Sequence, residues 1–349
     1  MSNIDTEIIK ITDIDKQAQD ISRIGKALCR GALAAFPTET VYGLGANALD
    51  EGAVAGIFKA KGRPQDNPLI IHIPSAEWLP LYCIDIPDTA GLLADTFWPG
   101  PLTLIMKKAG VIPETVTAGL DTVAVRCPSH PVAKALIEAA GVPVAAPSAN
   151  RSGRPSTTAV SHVIEDLNGL VDFIIDGGDC GVGVESTTID LTVSPPRILR
   201  PGGVTAEQLR AVLGEVSLDA GLTGMLIEGE TPRSPGMKYR HYAPKASLTA
   251  ICGEAEKSAG YILKTAHTGD GILCYEDFAY AFHGFEHVIT YGASGDPAGQ
   301  AHRLFAALRA FDSTPVTAIY AQCPSEEGIG LAVSNRLKKA AGFKVVYPK

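Results

Sequence analysis

The sequence predicts an α/β protein of two domains: a larger one built on a twisted mixed sheet, then a smaller, Rossmann-like one. Three observations carry this. The chain has 349 residues, more than a single domain usually holds. Short apolar runs suited to strands alternate with runs of helical period, first up to about residue 213 and again from 247. Between them, over 214–246, the periodicity fades and Gly, Pro, Ser and Thr punctuate the chain. The expected division is therefore 1–213, an ordered linker over 214–246, and 247–349. Met237, Tyr239, Tyr242 and Pro244 are poor residues for a solvated linker.

Residues 13–30 predict a helix with Ile14, Ile21, Ile24 and Leu28 on one stripe. A buried strand over 33–36 leads to Thr38, Glu39 and Thr40, then to Gly43 and Gly45, where backbone can approach a ligand closely. Ala53, Val54, Ile57 and Phe58 mark the next helix, which ends in Lys59, Lys61 and Arg63 and is stopped by Gly62 and Pro64. A turn over 65–68 precedes a strand over 69–73 whose Leu69, Ile71 and Ile73 share one face, leaving His72 on the other. A helix over 87–97 and a strand over 102–106 follow. In the strand over 121–128, Thr122, Ala124 and Arg126 face one way and Val123 and Val125 the other.

Ser129 is placed to cap a helix over 131–140, stopped by Gly141. A strand over 142–146 runs into the polar loop 147–156. Then come a helix over 158–167, strands over 173–176, 184–190 and 197–200, and a helix capped by Thr205. His130 and His162 read as structural or surface residues. In the second domain, strands are predicted over 247–252, 271–275, 288–291 and 316–322, and helices over 255–265, 298–311 and 326–341.

Composition narrows the function. Hydrophobic content of 46% suits a globular core. A net charge of −8 disfavours a general nucleic-acid binder, yet allows a local basic cleft. Seven scattered cysteines without a C-x-x-C pair fit free thiols in a reducing compartment. The polar N-terminus has no signal-peptide core, and no apolar run reaches the roughly 18 residues of a membrane span. The expected location is cytoplasmic.

The chain has no P-loop, H-E-x-x-H, G-x-S-x-G or Cys/His metal spacing. It does carry cations and polar groups at strand ends: Lys61, Arg63, Arg126, Ser148, Asn150, Arg154 and Arg200. Such a set suits charge neutralisation and positioning of a polyanion, as in phosphoryl-type transfer. Each piece also has an ordinary reading: a solvated basic helix end for Lys61 and Arg63, a surface ion pair for Arg126, a polar turn for 147–156.

PTETVYGLG, KAKGRP, NPLIIHI, APSANRSGRPS and SPGMKYRHYAP (234–244), in this order, resemble the threonylcarbamoyl-AMP synthases of the YrdC type, in their longer, two-domain form. The resemblance implies a YrdC-like fold for the first domain and a nucleotidyltransferase. Its substrates would be L-threonine, bicarbonate or CO2, and ATP. Its product would be threonylcarbamoyl-AMP, passed to transferase proteins that modify adenosine 37 of tRNA to t6A. Lys61, Arg63, Ser148 and Asn150 match the catalytic elements. Arg63, Asn67, Thr122, Ser148, Ser156 and Arg200 fall where the family holds the nucleotide, and Thr40, His72, Arg126, Ala146 and Ser186 where it holds threonine. Magnesium would ride on the triphosphate, with no metal cage in the protein. The segment 234–244 is expected to fold over the site as a lid, with Tyr239 or Tyr242 on the nucleotide. A weak tRNA contact is a further expected partner. The competing reading is a double-stranded-RNA or tRNA-binding module without catalysis, for which a basic concave surface would suffice. A hydrogenase-maturation carbamoyl-transfer domain would need zinc-finger and acylphosphatase segments that the sequence lacks.

Overall fold

The computed structural model describes residues 4–222 and 241–349. The first domain is built on a twisted eleven-stranded sheet among the described residues. Its strands are β1 (Glu7–Lys10), β2 (Ala34–Phe36), β3 (Gly43–Asn47), β4 (Ile70–His72), β5 (Leu102–Lys107), β6 (Thr122–Arg126), β7 (Val144–Ala145), β8 (Phe173–Asp176), β9 (Thr187–Asp190), β10 (Arg197–Arg200) and β11 (Ser217–Leu218). They lie in the order β1-β8-β2-β3-β7-β4-β6-β5-β9-β10-β11, with parallel and antiparallel pairs mixed. Because β11 pairs with β10, this sheet continues past residue 213.

Helices α1 (Ala18–Cys29), α2 (Glu51–Lys61), α3 (Leu79–Tyr82), α4 (Asp88–Phe97), α5 (Glu114–Thr117), α6 (Pro131–Ala140), α7 (Val160–Leu167) and α8 (Ala206–Leu213) belong to this domain. One core contains Leu44, Val54, Ile57, Phe58, Ile71, Leu104, Val125 and Ile189. A second holds Ile24 and Leu28 of α1 against Leu136 and Ile137 of α6. Each such side chain contributes about 1.5–3 kcal/mol on burial. The alternation expected in β4 and β6 is therefore present: Ile71 and Val125 enter the core, while His72 and Arg126 face the other way.

Local chemistry sets the helix ends. Asp50 accepts from the Gly52 and Ala53 amides at 2.8 and 3.1 Å, starting α2. Gly62, at φ 61°, ends it in the left-handed conformation, turning the chain between Lys61 and Arg63. The helix expected from residue 13 starts only at Ala18, and Ile14 is exposed. There Gln17 Oε1 accepts from the Thr12 amide and Asp13 Oδ1 from the Lys16 amide, side-chain bonds that compete with a helix. The cap of α6 is His130, whose Nδ1 accepts from the Val132 amide, while the Ser129 amide turns instead to Glu39. The strand expected over 142–146 shrinks to β7, where Pro143 has no amide to pair.

The second domain is a five-stranded parallel sheet in the order β14-β13-β15-β12-β16, as a Rossmann-like domain requires. Its elements are β12 (Ser247–Cys252), α9 (Ala255–Thr265), β13 (Gly271–Cys274), β14 (His287–Thr290), α10 (Pro297–Ala310), β15 (Ala318–Cys323), α11 (Gly330–Ala340) and β16 (Val345–Val346). The two domains share a core: Val41 and Val184 of the first pack in one apolar cluster with Tyr242, Leu304, Phe305 and Leu308. The approach is close enough that a Cβ on Gly183 would lie 2.3 Å from the His302 Cα, so only glycine fits there.

Candidate active site

The cleft forms where neighbouring strands of the first sheet end. Register pairs His72 with Arg126, Arg126 with Thr103, Thr103 with Thr188, and Thr188 with Arg200. Directly opposed residues point to one face, so the sheet assembles a polar row from five strands. Next to it, Ile70, Ile105, Ala124 and Leu199 form a small apolar floor. The loop 147–156 closes the other side. Of the expected residues, Arg63, His72, Arg126, Ala146, Ser148, Asn150, Ser186, Arg200 and Tyr242 line a cavity of about 70 Å³.

Arg126 Nη2 donates to Glu39 Oε1 at 2.6 Å, and Arg126 Nε is buried without a partner among the described residues. The surface-pair reading of Arg126 thus fails on burial, since its side chain is 5% exposed and that of Glu39 13%. Burial, reinforced by Arg126, pushes His72 down to about 3, leaving a neutral ring at the cleft floor. Its Nδ1 is likewise buried without a partner. Ser186 Oγ bonds Thr103 Oγ1 at 2.7 Å and accepts from Arg200 Nη2 at 3.1 Å. Gly202 lets the chain pass here, because a Cβ would lie 2.2 Å from the Glu185 carbonyl oxygen. Thr40 sits behind this wall, its hydroxyl bonded to that of Thr38, and does not line the cavity.

Lys61 is also behind the lining. Its ammonium donates to the Ser148 and Asn150 carbonyls, both at 2.5 Å. Burial, then the nearby Arg63 charge, hold its pKa well below the usual lysine value. Ser148 Oγ donates to Asn150 Oδ1 at 2.5 Å, and Asn150 Nδ2 reaches the Arg151 and Arg154 carbonyls. These bonds hold the loop in one shape. Arg63 Nη2 donates to the Asn67 carbonyl at 3.0 Å, and its guanidinium lies over the Phe58 ring. Both polar side-chain atoms of Asn67 are buried without a partner among the described residues. Ser156 donates to Glu185 Oε1 at 2.6 Å. Thr122 shares the Arg126 face but starts the strand four residues earlier, outside the lining. Arg154 lines the cavity yet is held by Asp166, Glu165 and Asp312, so its charge is already balanced. Tyr239 lies outside the described residues, as does most of the expected lid. Tyr242 is at the cleft in a left-handed conformation, φ 65°, uncommon for a bulky residue.

Several contributors were not legible beforehand, and most belong to the second domain. Arg309 of α10 donates to Asp166 Oδ2 at 2.8 Å and to the Pro155 carbonyl at 2.6 Å, bracing the loop from behind. Arg336 of α11 donates to Glu185 Oε2 at 2.8 Å. His241 lines the cleft, kept neutral by burial and the charges of Lys339, Arg63 and Lys61, at about 3. A signal existed in α11, where the run Ser-Asn-Arg-Leu-Lys-Lys is too polar for an ordinary core helix. Its burial could not be read from that run.

The cleft therefore gathers Arg63, Arg126 and Arg200 in one lining with the neutral His72 and His241. Burial works to raise the Glu185 pKa, but Arg336 and Arg200 outweigh it and hold the carboxylate ionised. Such an arrangement is suited to holding anions, and among the described residues that line it no nucleophile is poised beside a base. Among the described residues no group of three or more His, Cys, Asp or Glu could hold a metal ion. None of the described helices is long and apolar enough to cross a membrane. A roomier hollow of about 440 Å³ lies beside α2, lined by Gly31, Asp50, Gly56 and Lys59 among others. Its cations are Arg30 and Lys59, against the four arginines of the cleft, and Asp50 there already caps α2.

Residues 26–202 match the family model described as "Telomere recombination" (Sua5, YciO and YrdC), and 204–342 match that of "Threonylcarbamoyl-AMP synthase, C-terminal domain". The threonylcarbamoyl-AMP synthase of Pyrococcus abyssi is 48% identical over 90% of this chain and 92% of its own. That of Bacillus subtilis is 44% identical over 97% of this chain and 98% of its own. The crystal structure of Pyrococcus abyssi Sua5 complexed with L-threonine superposes with a TM-score of 0.90, at 45% identity, covering 99% of this chain and 100% of that one.

Proposed function

The chain belongs to the threonylcarbamoyl-AMP synthase family in its two-domain form, and from that membership and the cleft's geometry we propose that it makes threonylcarbamoyl-AMP. Threonine's amine and bicarbonate condense to a carbamate with loss of water, or the amine adds CO2 with loss of a proton. A carbamate oxygen then attacks the α-phosphorus of ATP. That P–O bond forms as the bond to the β,γ-diphosphate breaks, and pyrophosphate leaves with the electron pair. The observation that carries this is the convergence of Arg63, Arg126 and Arg200 on one cleft from segments far apart in sequence.

Arg126, with Glu39 holding its other side, is suited to the threonine carboxylate, beside His72, Ala146 and Ser186; Thr40 supports that wall. Arg63, Asn67, Ser148, Asn150, Ser156 and Arg200 would hold the nucleotide, and Tyr242 would cover it. Thr122 remains a nucleotide contact only if the ligand extends along the Arg126 face. Lys61, behind the lining, shapes the loop 148–150 and so would place Ser148 and Asn150 against the phosphates. The electrostatic work is to neutralise charge on the departing pyrophosphate. Magnesium would enter on the triphosphate, because Glu185, the carboxylate in the lining, already has both oxygens engaged. Pockets for such ligands usually measure about 300–1,000 Å³. A cavity of about 70 Å³ must therefore widen, and the walls able to give are Tyr242 and the second domain.

The remaining readings belong to the same proposal: a catalytic domain, expected over 1–213 but with its sheet running on to Leu218, a linker and lid up to 246, and a small domain from 247. They also include hand-over to transferase proteins for t6A at adenosine 37, a weak tRNA contact, and a cytoplasmic location suited to seven free cysteines. An RNA-binding role without catalysis gives way, because relatives alike over nearly the whole chain are named synthases. Mass spectrometry of the products formed from ATP, bicarbonate and threonine, with serine as control, tests the reading. Absence of threonylcarbamoyl-AMP and pyrophosphate from active-site-intact protein would refute it.

A further inference from the structure

We infer that Arg336, in the second domain, is a positioning residue of the nucleotide site: it cancels and fixes Glu185, the one carboxylate among the described residues that line the cleft. The inference rests on the proposed synthase reading. A cleft that gathers phosphates beside three arginines has a liability if it also exposes an unbalanced carboxylate, which repels them. Glu185 is held at both oxygens, by Ser156 at 2.6 Å and by Arg336 Nε at 2.8 Å. Arg336 is fully buried, and its guanidinium carbon lies 5.7 Å from the centre of the Tyr242 ring. Its Nη1 donates to Asn335 Oδ1, whose amide nitrogen in turn donates to the Leu222 carbonyl. Its Nη2 has no partner among the described residues. Arg336 does not itself line the cavity, so it acts on the site through its bond to Glu185. One side chain of α11 thus meets a wall of the cleft, Glu185, and its cover, Tyr242, which assigns the second domain a part in nucleotide binding through those two residues.

Arg336→Met, Arg336→Lys and the double variant Arg336→Met/Glu185→Gln test this through the KM for ATP at saturating threonine. Loss of folded protein lowers kcat and leaves KM unmoved. Arg336→Met is expected to raise the KM for ATP by about tenfold or more, with Arg336→Lys in between. The double variant, which leaves no buried charge unpaired, is expected within about threefold of wild type. A KM for ATP in Arg336→Met within about twofold of wild type overturns the inference, as does a double variant no better than the single one. If Arg336→Met does not fold, Arg336→Lys decides: a KM for ATP raised about threefold or more supports the inference, and one below that overturns it. Should the wild type make no threonylcarbamoyl-AMP, the synthase reading fails separately. Equilibrium dialysis of ATP against the same variants then still decides the role of Arg336.

Discussion

Lys61, at the end of α2, donates to the carbonyl oxygen of Asn150, 89 residues away in sequence, at 2.5 Å. With the matching bond to Ser148 it ties the helix to the loop across the cleft. The lysine expected to grip phosphate is thus a strut for the loop that carries Ser148 and Asn150. Lys61→Ala is expected to lower kcat/KM by about 2–4 kcal/mol of transition-state stabilisation. Because Lys61 is buried, stability should also fall, by about 1–3 kcal/mol for the carbonyls left unpaired. Pyrophosphate release and a urea midpoint measure the two. Unchanged kcat/KM would remove Lys61 from the site.

His72 should shape the acid limb of stability. Burial and Arg126 hold its folded pKa at about 3, against an ordinary 6.5. Between those values the unfolded chain binds the extra proton. The contribution is therefore full above about pH 6.5 and is lost as pH falls toward 3, by up to about 1.4 kcal/mol per pH unit. His72→Gln should flatten the difference between denaturation at pH 7 and pH 5. Parallel pH curves for variant and wild type would mean that the ring is not held neutral.

Discrimination between threonine and serine should be modest. One methyl group in a fitted pocket is worth about 1–3 kcal/mol. The ratio of kcat/KM for the two amino acids measures it, and equal values in the wild type would refute a threonine-fitted pocket beside His72, Ala146 and Ser186.

Ending the chain after Leu222 keeps every strand of the first sheet but removes Arg309, Arg336 and Tyr242. It leaves Asp166 and Glu185 without those partners and uncovers Val41 and Val184. ATP is expected to bind at least about tenfold more weakly, the scale of one lost contact of 1.4 kcal/mol. The threonylcarbamoyl-AMP intermediate should also hydrolyse faster once water has access. Circular dichroism checks that the shortened protein is folded. If it is, and ATP affinity and intermediate lifetime both match wild type, neither the second domain nor the lid serves the site.

Local pattern alone determined a good deal. Alternation put His72 and Arg126 on the face away from the core, and Gly62 after Lys61 announced the end of α2. The arginines at strand ends pointed to the cleft that Arg126 and Arg200 line. These features depend on neighbours within a turn of helix or a strand, so they are written in short windows. Tertiary structure decided the rest. It chose Glu39 for Arg126 across 87 residues, Asp166 for Arg309 across 143 and Glu185 for Arg336 across 151. It also engaged Arg154 with carboxylates and tied Lys61 to the backbone of the loop 148–150. A charged side chain takes whichever partner packing brings within about 3 Å once water is gone. Sequence periodicity specifies the face on which that charge stands, but only the packed sheet and the docked second domain specify what it meets there.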